Sequence, residues 1–137
     1  MHRRRKIFSY LVFVLVVSIC FILLFRERSR SGRSQDSRPW TVVFKRLGSL
    51  SSPRLTDLNL DGVLDIVVGA GTVEFQRSDS SILALDGANG SLLWSAPARD
   101  QIFGSPVFQD ITDDDVPDVF IGGRAAELKA IDGRNGD

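Results

Sequence analysis

The sequence predicts an all-β fold made of repeated four-stranded antiparallel units, preceded by one N-terminal transmembrane helix. Three observations predict it. An acidic pattern, Asp57-Leu58-Asn59-Leu60-Asp61-Gly62-Val63-Leu64-Asp65, runs straight into the apolar stretch Ile66-Val67-Val68-Gly69, and both return 53 residues later. A second element, Leu83 to Gly90, returns as Lys129 to Gly136 at an offset of 46. Before the first repeat, residues 7–25 form a 19-residue run without a charge.

The elements follow in chain order. Residues 1–6 form a basic tail containing Arg3, Arg4, Arg5 and Lys6. Residues 7–25 are rich in Leu, Val, Ile and Phe. At about 1.5 Å per residue a helix of that length crosses a hydrocarbon core of about 30 Å. The run ends in Leu23-Leu24-Phe25-Arg26 with no small-x-small site, and it is longer than a signal-peptide core, so it reads as a retained anchor. Ile19 is too bulky for a lipobox before Cys20. Residues 26–38 are a Ser/Arg-rich linker without an apolar period, read as exposed. Its arginines face either anionic headgroups or solvent.

Residues 39–137 carry the repeats. Trp40 to Lys45 has strand composition and is expected to be an orphan strand that completes a last unit. Pro53 to Leu58 is the first strand of the first repeat, and the acidic loop then turns the chain. Asp65 to Ala70, mostly apolar, is the second strand. Thr72 to Asp79 holds the seven extra residues of the first copy. Ser81 to Asp86 is the third strand. Gly87-Ala88-Asn89-Gly90 is a tight hairpin, because Asn and Gly tolerate positive φ. Ser91 to Ser95 is the fourth strand, ending beside Trp94. Asp86 and Asp132 precede the hairpin glycines and read as Asx-type turn residues.

A repeat of about 50 residues with several short strands is the signature of a β-propeller blade. The first blade spans about residues 50–98. A second, at about 105–137, lacks its fourth strand, so the ring is incomplete. Propellers close with about 4–8 blades. The expectation is therefore the N-terminal piece of a longer ring, with a degenerate gene or an assembly of short chains as alternatives.

The acidic loop has the chemistry of a hard-cation site. Oxygen-bearing residues at positions 1, 3, 5 and 9 point inward, Gly at 6 takes the sharp turn, and the carbonyl at 7 adds a ligand. In the first copy these are Asp57, Asn59, Asp61, Asp65 and the Val63 carbonyl. In the second they are Asp110, Thr112, Asp114, Asp118 and the Val116 carbonyl. The second departs from the pattern at three places. Thr112 is a weaker ligand, Asp115 stands at the Gly position, and Pro117 at position 8. Asp113 reads as solvent-facing. Position 12 of the first loop is Val68, which excludes an EF-hand.

This loop, followed by a strand, resembles the calcium loop of FG-GAP repeats, the blades of integrin-alpha-type β-propellers. The segment Leu83-Ala84-Leu85-Asp86-Gly87-Ala88-Asn89-Gly90-Ser91-Leu92-Leu93-Trp94 is similar to the repeat of quinoprotein-like (PQQ-like) propellers. That likeness implies that Trp94 packs between adjacent blades. The FG-GAP likeness covers about residues 50–137 and implies bound Ca2+ and a role in adhesion or recognition.

The net charge of zero conceals an asymmetry. Residues 1–38 hold nine of the 17 basic and two of the 17 acidic residues, which leaves residues 39–137 with a formal charge of −7. That acidity argues against a nucleic-acid partner. The lysines and arginines on the two sides of residues 7–25 nearly tie under the positive-inside rule. Calcium modules of this type suit compartments with about millimolar calcium, which places the N-terminus in the cytosol and the repeats outside or in a periplasm. Cys20 is the only cysteine and His2 the only histidine, so no disulfide, zinc, thiol or His-based triad can be built in residues 39–137.

The function expected is non-enzymatic. A single-pass anchor presents a calcium-binding propeller to a protein or glycan ligand. The alternatives are an envelope assembly scaffold and the propeller part of a quinoprotein-type dehydrogenase or polysaccharide-active enzyme, for which these residues offer no cofactor pocket.

Overall fold

A computed structural model describes residues 39–49 and 51–137 of the chain. The basic tail, the membrane span and the linker lie outside the described residues. Among the described residues no helix is long and apolar enough to cross a membrane.

Seven strands form two antiparallel sheets. Sheet one has the order β1-β2-β3-β4, with β1 at Arg54–Thr56, β2 at Asp65–Gly69, β3 at Ser78–Leu85 and β4 at Leu92–Ala98. Sheet two has the order β5-β6-β7, with β5 at Val107–Gln109, β6 at Asp118–Gly122 and β7 at Leu128–Ile131. The β-branched run Ile66-Val67-Val68 fits the pleat of the inner strand β2, which pairs with β1 through Val67↔Arg54 and with β3 through Val67↔Ala84. Sheet two repeats this register, with Val107↔Phe120 and Phe120↔Ala130. Each sheet is thus a meander of sequential neighbours.

Strands β3 and β4 are longer than the sequence suggests. Register shifts between Ser78 and Ile82 and between Ala84 and Leu85 absorb extra residues and let β3 begin inside the inserted segment. Pro97 is accommodated because β4 is an edge strand, where one face of the ladder needs no donor.

The period-2 alternation divides each sheet into two faces. Val67, Ile82, Ala84, Trp94 and Ala96 of sheet one join Val119, Ile121 and Ile131 of sheet two in one buried cluster, with Leu58, Ile102 and Val116 from the connections. Neither sheet could bury its apolar face alone.

Residues 40–45 do not form the expected strand. They have no ladder partner among the described residues, and the nearest pairing is an isolated bridge, Gly48↔Gly71. Strand composition cannot supply an edge to pair with. The segment is held instead by the Trp40 indole, whose Nε1–H donates to the Gly87 carbonyl (3.0 Å).

Candidate functional site: two acidic loops

The loop at 57–65 and the loop at 110–118 are one structure built twice. Position 4 is left-handed in both, at Leu60 (φ 59°) and Asp113 (φ 59°). Position 6 is left-handed in both, at Gly62 (φ 86°) and Asp115 (φ 68°). Asp is among the few residues with a side chain that tolerate this region, so it can stand where Gly stood.

The hydrogen bonds made by positions 1 and 5 recur in both loops, while the Asp113 amide donates to Asp110 Oδ1 (2.8 Å) in the second alone. Asp57 accepts the amides of Asp61 (3.2 Å) and Gly62 (3.0 Å), and Asp110 accepts those of Asp114 (3.4 Å) and Asp115 (3.1 Å). Asp61 Oδ1 accepts the Val63 amide (2.7 Å), and Asp114 Oδ1 accepts the Val116 amide (2.9 Å). Asn59 Oδ1 accepts the Asp61 amide (3.0 Å).

Position 9 plays a different part from the others. Asp65 is fully buried. Its Oδ2 accepts the amides of Leu58 (2.8 Å) and Asn59 (3.3 Å), and its Oδ1 accepts that of Gly87 (2.9 Å). Asp118, also buried, accepts Ile111 (2.7 Å) and Thr112 (3.0 Å) on Oδ2 and Gly133 (3.1 Å) on Oδ1. These carboxylates clamp the start of each loop to the hairpin of the same sheet. The clamp needs glycine opposite it. A Cβ on Gly87 would strike the Leu64 carbonyl, and one on Gly133 the Pro117 carbonyl. Burial desolvates Asp65 and pushes its pKa up, against the pull of the three amides. Asp118 is desolvated too, but the amides of Ile111, Gly133 and Thr112, with the Thr112 hydroxyl beside them, outweigh burial and leave its pKa lowered.

The loops differ in charge balance. In the second, Arg134 Nε donates to Asp114 Oδ2 (2.6 Å) and its Nη2 to the Asp114 carbonyl (2.9 Å). This guanidinium holds the Asp114 carboxyl below the ordinary range, and the carboxylate raises Arg134 in turn. Ala88 stands at the equivalent hairpin position of sheet one. Among the described residues no ion pair reaches Asp57 or Asp61.

The ten sequence-predicted positions therefore fall into two loops, five in each. Asp57, Asn59 and Asp61 share one partly exposed loop with the Val63 carbonyl. Hard oxygen donors of this kind fit a calcium ion. Asp65 would have to share its oxygens with three amides. In the second loop, Asp110, Thr112, Asp114 and the Val116 carbonyl keep the arrangement, but Arg134 already supplies a positive charge at Asp114.

Three residues escaped sequence reasoning. Arg134 is a departure visible only when the two hairpins are aligned. Arg124 lies 5.1 Å from the Phe75 ring centre and 5.0 Å from that of Phe103, and pairs with Glu74 at 3.0 Å. It ties the inserted segment to sheet two, and no local pattern signals it. Trp40 repeats Trp94, whose Nε1–H donates to the Gly133 carbonyl (2.7 Å). The hairpin offset of 46 does not align these two tryptophans, which are 54 residues apart.

No protein-family model matches the chain, and no curated protein matches it.

Proposed function

We propose that this chain is a membrane-anchored, extracytoplasmic recognition module in which calcium stiffens propeller-type blades and does no chemistry. One observation carries the calcium reading. In both loops the carboxylates of positions 1 and 5 take the same backbone amides, yet only the second has a cation from the chain itself at position 5. Loop one brings Asp57 and Asp61 together without such a partner, and clustered carboxylates repel unless a cation neutralises them. Two sheets with the same register, stacked through one apolar cluster, support reading them as adjacent blades. Exposed Phe75 beside Arg124 supports a protein or glycan ligand, since aromatic and Arg side chains anchor interfaces.

Thermal unfolding of the full chain with and without calcium tests the reading. Calcium at about 100 times its Kd stabilises by about 2.7 kcal/mol. For a domain of about 100 residues that raises Tm by about 10 °C or more. Asp61→Ala should remove most of the rise. An equal rise in the variant would show that calcium acts elsewhere.

A further inference from the structure

The two hairpins stand over the two acidic loops in the same way and differ in what they carry there. Asp118 Oδ1 accepts the Gly133 amide (3.1 Å), and Asp132 Oδ1 accepts the Arg134 amide (2.8 Å). These bonds fix consecutive amides of the hairpin and hold residue 134 beside position 5 of its own loop. Asp65 and Asp86 fix the Gly87 and Ala88 amides by the same pair of bonds (2.9 and 2.7 Å). Ala88 offers loop one a methyl with neither charge nor donor. Arg134 offers loop two a guanidinium, which meets Asp114 at both Oδ2 (2.6 Å) and the main-chain carbonyl (2.9 Å).

The donors then separate the loops at a single carboxylate oxygen. In loop two, Asp110 Oδ1 accepts the Asp113 and Asp114 amides, and its Oδ2 accepts that of Asp115. Asp118 Oδ2 accepts the Ile111 and Thr112 amides, and its Oδ1 accepts the Gly133 amide and the Thr112 hydroxyl (3.5 Å). Asp114 Oδ1 accepts the Val116 amide, and Oδ2 accepts Arg134 Nε. Every carboxylate oxygen at positions 1, 5 and 9 thus has a donor, and the position-3 hydroxyl is itself turned to Asp118. In loop one the counterpart oxygen, Asp61 Oδ2, meets no donor among the described residues, and the position-3 oxygen of Asn59 points back into the loop, onto the Asp61 amide.

We infer that Arg134 is the built-in counterion of loop two and keeps calcium out of it, so that calcium binds loop one alone. A guanidinium this close neutralises the carboxylate directly, and a divalent ion entering beside it would meet a like charge at the same oxygens. Loop two is then ordered without metal. So is the hairpin above it, whose Gly133 carbonyl accepts the Trp94 indole of sheet one. The junction between the two sheets is therefore indifferent to calcium, and the response to the metal is confined to the loop of sheet one. Arg134 is the specificity-determining residue between a metal-binding loop and a self-neutralised one. The single ion rests on the calcium reading of loop one, whereas exclusion from loop two does not.

Calorimetric titration of the full chain in detergent micelles with calcium chloride counts the ions bound. The parent chain should bind one. Arg134→Gln removes the charge, keeps a polar side chain and should bind two. Arg134→Lys restores the charge and should return the count to one. Ala88→Arg carries a guanidinium to loop one and should bring the count to none with the melting transition kept. A parent count of two would overturn the inference and leave the reading of loop one standing, as would a folded Arg134→Gln chain that still binds one. An Ala88→Arg chain that keeps its ion would overturn it too. A parent that binds none while Arg134→Gln binds one would sink the reading of loop one and keep the exclusion; no ion in either would overturn both. An Arg134→Gln chain that stays unfolded in about 10 mM calcium, above the Kd of about 0.1–1 mM of weak extracellular modules, would also overturn the inference, since the metal should then take the place of the guanidinium.

Discussion

At the scale of single residues, the aspartates of one loop do different work. Asp65 satisfies three backbone amides from a fully buried position, whereas Asp61 is exposed and bonds one amide. Asp65→Ala would strand these donors, each lost bond costing about 1–3 kcal/mol. The variant should lose about 3 kcal/mol or more in denaturant titrations, with calcium or without. Asp61→Ala should leave the calcium-free protein nearly unchanged and erase only the calcium response. The pair separates a clamp from a ligand. Asp114 gives a pH signature. Arg134 lowers its pKa below 3.8, so the unfolded chain binds more protons than the folded one just below that pH. Stability from this pair is fully present above pH 3.8 and is lost as pH falls through the folded value. Asp114→Asn should therefore flatten part of the fall in Tm as the pH drops below 3.8, since it removes the linked proton.

At the scale of elements, the junction between sheets is a tryptophan placed on a glycine hairpin. Trp94 is nearly buried, lies in the shared apolar cluster and donates to the Gly133 carbonyl at 2.7 Å. Trp94→Phe keeps much of the apolar volume but leaves that acceptor without its donor, which costs about 1–3 kcal/mol. Trp94→Ala also opens a cavity and should cost about 3–5 kcal/mol. Equilibrium unfolding would show both, and a Phe variant as stable as the parent would mean that the hydrogen bond contributes nothing net. The hairpins themselves are held by Asx turns. Asp86 accepts the Ala88 amide (2.7 Å), and Asp132 accepts the Arg134 amide (2.8 Å). This local role is the one their place before Gly suggests.

At the scale of the whole described region, stability rests on repetition. Each sheet has one face that only another sheet can cover, and sheet two still exposes such a face. The chain's charge is uneven, with −7 on residues 39–137.

Some of this was determined by sequence alone. The all-β class, the order of the strands after residue 53 and the two equivalent loops follow from spacing, because strands alternate at period 2 and turns need Gly, Asn or Asp at fixed offsets. Those are local constraints, and each is satisfied within a few residues. The rest depended on contacts between distant segments. Composition at residues 40–45 favours a strand, yet a strand exists only where an edge is available to pair with it. Asp65 and Asp118 have the spacing of ligands, but only folding brings the Gly87 and Gly133 amides onto their oxygens, 22 and 15 residues along the chain. Arg134 reaches Asp114 across 20 residues, and Trp40 reaches Gly87 across 47. Spacing in the chain names the groups that could bind, while the tertiary fold decides which of their lone pairs and donors are already taken.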